Sequence, residues 1–245
     1  MVGTSTSSQV LELGFTSTLS ETLNPMLSTL ILGALALLAQ PTHAISWGLF
    51  TPSGNPWIQM VFTQHVPQGP PSDVNSGPWF FWCGLQPNGG GVLQPPGNQG
   101  QPDGLPAIQS EGFWVDEGAQ IVGTVTWENG QWGQTAQVIS GQAAGQSISL
   151  TSQTNYFQGE TPGFDNTNFA VCDAELDGSQ TGEWNFPVVF TDLFIRAATS
   201  DGIEALCADT ANPVHSAGAG SIQFEGFSML DAETCHWSTV TLLPP

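Results

Sequence analysis

Acidic side chains alternate along one stretch of the chain in a way that could serve proton transfer. The stretch reads Asp173-Ala174-Glu175-Leu176-Asp177, and on a β-strand the alternation places Asp173, Glu175 and Asp177 on one face. Two carboxylates at a set spacing on a strand are typical of glycosidases, which use one of them as an acid and the other as a base or nucleophile. The pattern also fits a solvated strand end that runs into a turn at Asp177, and both interpretations stay open.

An aromatic run precedes a segment rich in glycine and proline. It consists of Trp79, Phe80, Phe81 and Trp82, and alternation on a strand puts the first and third rings on one face and the second and fourth on the other. One face must join the core, whereas the other could stack against sugar rings or an apolar peptide. We take Trp79, Trp82 and the more distant Trp114 as candidate substrate-binding residues, with core packing as the alternative for each ring.

Other common catalytic patterns are missing from the sequence. It contains no nucleophile elbow, zinc-protease motif, phosphate-binding loop or dinucleotide-binding glycine pattern. The four histidines, His43, His65, His215 and His236, are scattered, and we interpret them as surface residues. The cysteines lack metal-ligand spacing, so we expect no metal and no cofactor.

Four cysteines, an even number, favour two disulfides in a secreted chain. Cys207 and Cys235 both lie near the C-terminus, so we predict that they pair, which leaves Cys83 to pair with Cys172. Three connectivities are open in principle, and buried free thiols are the alternative.

The charge balance is strongly acidic. The chain has 21 Asp and Glu residues against one basic residue, Arg196, for a net charge of −20. Nucleic-acid binding and polybasic membrane anchoring both depend on Lys and Arg, so the composition excludes these partners. Self-repulsion destabilises such a chain at neutral pH and falls near its isoelectric point of about 4.1. We therefore expect a protein that works at acid pH, with solubility as the alternative use of an acidic surface.

The N-terminal region carries a segment typical of a signal peptide. Residues 30–39 form an apolar run, LILGALALLA, and Thr42-His43-Ala44 follows it. The run is shorter than the roughly 20 residues that span a bilayer, but it suits the hydrophobic part of a signal peptide, and Thr42 and Ala44 suit its cleavage positions. We predict that residues 1–44 are an N-terminal extension plus a signal peptide. Translation would start at Met1 or Met26, and the secreted chain would begin at Ile45.

Beyond residue 44 the sequence predicts strands and no helix. Gly and Pro recur every few residues, and short apolar or alternating runs lie between them. The predicted strands are 57–63, 78–83, 120–127, 137–139, 147–151, 168–176, 188–196, 221–229 and 237–243. Residues 86–106, rich in Gly and Pro, are predicted to form a long functional loop. We expect an all-β, two-sheet antiparallel β-sandwich over residues 45–245, forming a single domain and a monomer.

Four segments in this order resemble the secreted fungal glutamic peptidases (eqolisins) and their concanavalin-like relatives. They read VLQ at 92–94, WVDEGAQIVG at 114–123, NFAVCDAEL at 168–176 and VVFTDLFIRA at 188–197. In that family one strand carries a Leu-Gln pair and a later strand an Ala-Glu pair ahead of apolar residues. By this match Gln94 and Glu175 are the counterparts of the catalytic glutamine and glutamate, and Gln86 is a competing match for the glutamine.

The resemblance implies a concanavalin-like jelly roll with a groove on its concave face and an acid endopeptidase activity on polypeptides. Glu175 would act as a general base on a water molecule, and Gln94 would donate a hydrogen bond to the oxyanion. Two other functions stay open on the same scaffold. One is a non-catalytic, lectin-like protein that binds polysaccharide or cell wall through Trp79, Trp82 or Trp114, and the other is a glycan hydrolase or lyase.

Overall fold

Short strands separated by turns make up most of the described chain. The structure is a computed structural model, and it describes residues 43–52, 54–74, 79–86, 92–95, 98–100, 108–153, 167–176, 179–209 and 220–245. The predicted signal-peptide run at 30–39, both candidate start residues and Asp177 lie outside these residues. The chain from Pro41 to Pro245 forms one compact unit.

Fourteen strands and two short helices are found in the described residues. The strands are β1 His43–Phe50, β2 Trp57–His65, β3 Phe80–Gln86, β4 Val92–Gln94, β5 Asn98–Gly100, β6 Ile108–Gln109, β7 Gln120–Glu128, β8 Gln131–Val138, β9 Ser147–Gln153, β10 Phe169–Glu175, β11 Val188–Ala197, β12 Ser221–Glu225, β13 Ser228–Met229 and β14 Thr234–Leu243. The helices are α1 Gln180–Glu183 and α2 Ile203–Ala208.

The strands form two antiparallel sheets. Sheet A has the order β1-β10-β3-β4-β5-β6, and sheet B has the order β12-β14-β11-β2-β7-β8-β9, with β13 paired to β14. The predicted fold class, an all-β two-sheet antiparallel sandwich, is confirmed.

The core lies between the inner faces of the two sheets. Trp47 of sheet A and Trp237 of sheet B are both almost completely buried, and their ring centroids are 5.3 Å apart in an edge-to-face arrangement. Full burial of a large apolar side chain contributes about 1.5–3 kcal/mol, so the alternating inward residues of both sheets account for much of the stability.

The two predicted disulfides are confirmed. Cys83 pairs with Cys172 between the adjacent strands β3 and β10, where the two residues lie directly opposite each other. Cys207 pairs with Cys235 and so fastens α2 to β14. None of the helices among the described residues is both long and apolar enough to cross a membrane.

The single arginine takes part in an exposed acidic cluster. Arg196 Nη1 lies 3.5 Å from Asp231 Oδ2, and Arg196 Nη2 lies 3.5 Å from Glu233 Oε2. The Thr234 side chain lowers the pKa of Asp231 most, and the backbone N–H of Glu233 and the Arg196 charge lower it further, against the opposing effect of burial. The only cation of the chain is therefore engaged with neighbouring carboxylates.

Each predicted strand overlaps an observed one, but four observed strands and both helices were not predicted. The segment predicted to be a long loop contains β4 and β5 within its described part, so the prediction was wrong there. β4 and β5 are each three residues long, and strands this short can be held by backbone hydrogen bonds with few apolar side chains. In this segment Leu93 is fully buried, and it pairs with Leu85 of β3.

Candidate functional site

The outer face of sheet A brings together the acidic residues singled out from the sequence. On β10 the residues Ala170, Cys172 and Ala174 belong to the core, so Asp173 and Glu175 point to the opposite face, as the alternation predicts. Asp173 is paired in register with Ser46 of β1 and Trp82 of β3. Asp173 is nevertheless only 5% exposed, so this part of the outer face is covered.

A hydrogen bond fixes the glutamate. The indole Nε1–H of Trp82 donates to Glu175 Oε2 across 3.2 Å. Trp82 is only 5% exposed, so its ring has little freedom, and the bond holds the half-buried Glu175 carboxylate in one orientation. The other carboxylate oxygen, Oε1, takes no part in this bond.

The candidate glutamine lies on the same face, two strands away. Leu93 pairs with Leu85, so Gln94 lies beside Gly84, and Gly84 pairs with Val171 of β10. Gln94 is therefore about 10 Å across the strands and about 13 Å along them from Glu175, at ordinary strand dimensions. The two side chains do not contact each other directly, and a ligand that reaches both must lie across the outer face.

The competing glutamine occupies a less enclosed place on the same face. Gln86 is half-buried at the end of β3, where it pairs with Phe169. Gln94 is 9% exposed. Along the strands Gln86 lies two residues farther from Glu175 than Gln94 does, because Phe169 precedes Val171 on β10. By strand dimensions, Gln94 is therefore the nearer of the two glutamines to Glu175.

The three candidate substrate-binding tryptophans lie in different places. Trp79 packs against the core and stacks on Phe186 with ring centroids 6.0 Å apart, whereas Trp82 is bonded to Glu175 on the outer face. Trp114 precedes β7 and is 95% exposed. Sequence reasoning did not single out Phe80, which lies opposite Glu175 in β3 and is 47% exposed. Its place in the aromatic run was the only sequence signal for it.

The contacts of His236 lie on sheet B, away from the outer face of sheet A. His236 Nδ1 is 3.2 Å from Ser228 Oγ, and its Nε2 is 3.5 Å from Asp192 Oδ1. The Asp192 side chain is 65% exposed, so we interpret these contacts as surface packing of β11 and β13 against β14. In the described part of the chain, no group of three or more His, Cys, Asp or Glu residues could hold a metal ion.

Comparison with known proteins gives distant likenesses of fold. No protein-family model and no curated protein matches the chain. Among solved structures, scytalido-glutamic peptidase with a transition state analog inhibitor is 14% identical with a TM-score of 0.47, over 84% of this chain and 99% of that chain. Tailspike protein 2 of the Escherichia coli O157:H7 bacteriophage CAB120 is 13% identical with a TM-score of 0.35, over 64% of this chain and 22% of that chain.

Proposed function

We propose that the chain is a secreted acid endopeptidase of the glutamic type, with Glu175 as general base and Gln94 as oxyanion donor. The observation that supports this most is the hydrogen bond from Trp82 Nε1 to Glu175 Oε2 on the face that Gln94 shares. A general base must be held within reach of the proton that it removes, and a buried indole donor serves that purpose.

The proposed reaction is hydrolysis of a peptide bond laid across the outer face of sheet A. Glu175 removes a proton from a water molecule, whose oxygen forms a bond to the peptide carbonyl carbon. The carbonyl oxygen becomes an oxyanion, and the Gln94 amide donates a hydrogen bond to it. When the C–N bond breaks, the protonated Glu175 returns the proton to the leaving amine.

The test is the rate of cleavage of a denatured protein at acid pH, in the presence of an inhibitor of aspartic peptidases. Glu175→Gln keeps the size of the side chain and its bond to Trp82, and it should lower the rate about 10²–10⁴-fold because the base is lost. Gln94→Ala should lower it about 10²–10³-fold, the typical effect of one oxyanion donor.

Two further glutamine variants serve as comparisons. Gln86→Ala should leave the rate close to that of the wild type if Gln94 is the donor. Gln137→Ala, at an exposed position of β8 in the other sheet, is a control for the substitution itself. Wild-type protein that cleaves nothing would contradict the proposal, and so would a larger loss from Gln86→Ala than from Gln94→Ala.

Carbohydrate binding is the second candidate function, and the exposure of Trp114 favours it. A tryptophan that is 95% exposed offers a free ring face for stacking on a sugar. If the chain is a binder, Trp114→Ala should weaken its retention on an insoluble polysaccharide, and Glu175→Gln should leave retention unchanged. Retention that is equal in wild type and Trp114→Ala would count against this role of Trp114.

A further inference from the structure

The outer face of sheet B carries a polar groove over β7, β8 and β9. The groove has a volume of about 340 Å³, and it is lined by Thr124, Thr126, Glu128, Asn129, Gln131, Gly133, Thr135 and Thr151. Its floor and walls come from residues that alternate with the core residues Val125 and Trp132. This volume lies at the lower end of the range for small-molecule sites, about 300–1,000 Å³.

The groove is open at its centre because the residue there is a glycine. Gly133 pairs with Thr126 of β7 on one side and with Thr151 of β9 on the other. A Cβ atom added at Gly133 would have the Thr126 backbone oxygen, 3.8 Å away, as its closest neighbour. The threonines therefore stand on both sides of a position that is left empty by the missing side chain.

The walls of the groove are held in place by local structure. Asn129 and Gly130 have φ angles of 52° and 76°, which makes the β7–β8 connection a tight two-residue hairpin of the Asn-Gly type. This hairpin fixes Glu128 and Gln131 opposite each other at one end. Gln59 Nε2 donates to Thr126 Oγ1 across 3.3 Å, so this bond holds Thr126 in place and uses its oxygen as the acceptor.

The chemistry of the lining selects one class of ligand. Hydroxyl and amide groups dominate it, and they match the hydroxyl groups of a sugar as both donors and acceptors. The lining has no cationic side chain that could bind an anionic ligand. Its one carboxylate, Glu128, is not enough for a calcium ion, which takes 6–8 oxygen ligands. We propose that this groove is a binding site for an uncharged carbohydrate of one or two sugar units.

The groove is independent of the proposed peptidase function. It lies on sheet B, whereas Glu175 and Gln94 lie on sheet A. It is also distinct from Trp114, which is not part of its lining. Occupation of the groove would attach the protein to a glycan and leave the outer face of sheet A open to its own substrate.

The test is an NMR titration of the full secreted chain with neutral disaccharides and oligosaccharides of glucose, mannose, xylose and N-acetylglucosamine, each up to millimolar concentration. At least one sugar should shift the backbone amide signals of Thr126, Gly133 and Thr151 in a saturable way. Gly133→Val fills the depression with a side chain for which the backbone has room, so it should abolish these shifts. Thr135→Val removes one hydroxyl group and keeps the shape, so it should weaken the binding severalfold.

The matched control is Gln137→Val, which places the same side chain on the same face of β8 outside the groove. It should bind as the wild type does, and thermal unfolding should show that all three valine variants are folded. The proposal is overturned if no sugar in the panel shifts these signals. It is also overturned if Gly133→Val binds as tightly as the wild type.

Discussion

At the scale of single residues, the orientation of Glu175 depends on an indole from the neighbouring strand. Trp82 and Glu175 are 93 residues apart in the chain, and the pairing of β3 with β10 brings them to 3.2 Å. In the proposed reaction Trp82 touches neither water nor peptide, so it is a positioning residue.

Trp82→Phe tests this positioning role. Phenylalanine keeps most of the ring and removes the N–H donor, so Glu175 loses a bond of the charge-assisted kind, worth about 1.5–3 kcal/mol. We expect kcat to fall about 10–100-fold with little change in KM. Trp79→Phe is the control, since that ring lies just before β3 and packs against the core. An unchanged kcat in Trp82→Phe, or an equal fall in both variants, would contradict the positioning role.

The sequence predicted which acidic residues share a face, but it did not predict their partners. Strand alternation is a local property, so the outward position of Asp173 and Glu175 follows from the order of residues alone. The bond between Trp82 and Glu175 depends on which strands are neighbours and on their register. Neither can be inferred from the sequence of a single strand. The same reason applies to Gly133, whose groove exists only because β7 and β9 flank β8.

At the scale of elements, strands with strong alternation were predicted, whereas β1 and the short strands β4, β5 and β6 were not. β1 lies directly after the apolar run, where the predicted cleavage site was the dominant signal. β4, β5 and β6 are two or three residues long, too short for a periodic pattern. β8 was predicted only at its end, because its inward positions include Gln134 and Ala136 beside Trp132 and Val138.

The disulfide between α2 and β14 gives a prediction about stability. Cys207 and Cys235 close a loop with a sequence separation of 28. The chain-entropy model gives about 3.5 kcal/mol for a loop of this length. The double variant Cys207→Ala/Cys235→Ala should therefore lower the free energy of unfolding in urea by about 2–4 kcal/mol. An unfolding midpoint equal to that of the wild type would show that this bridge adds nothing to stability.

At the scale of the whole molecule, the net charge of −20 sets the pH dependence. Carboxylate repulsion opposes the compact state and is relieved as protons bind, so the thermal unfolding temperature should rise from neutral pH toward the isoelectric point of about 4.1. The Asp231 carboxylate has the opposite effect on the pH dependence of stability. Its pKa in the folded protein lies below the ordinary value of 3.8, so its ionised form stabilises the fold above that pH. This stabilisation is lost only as the pH falls through the lowered pKa. A steady fall in unfolding temperature from neutral pH to the isoelectric point would contradict the expectation.

Secretion and cleavage before Ile45 stay predictions, because the apolar run lies outside the described residues. The two disulfides are consistent with an oxidising compartment. Cleavage there would leave the stretch Ile45–Phe50 in β1, including the fully buried Trp47.

A catalytic site shared by Glu175 and Gln94 is tested most directly by kcat/KM for peptide cleavage at acid pH in the wild type, Glu175→Gln, Gln94→Ala and the double variant. Each single variant should lower kcat/KM, Glu175→Gln by about 10²–10⁴-fold and Gln94→Ala by about 10²–10³-fold, and the double variant should be at least as slow as the slower single variant. A kcat/KM equal to that of the wild type in either single variant would contradict a shared catalytic site on the outer face of sheet A.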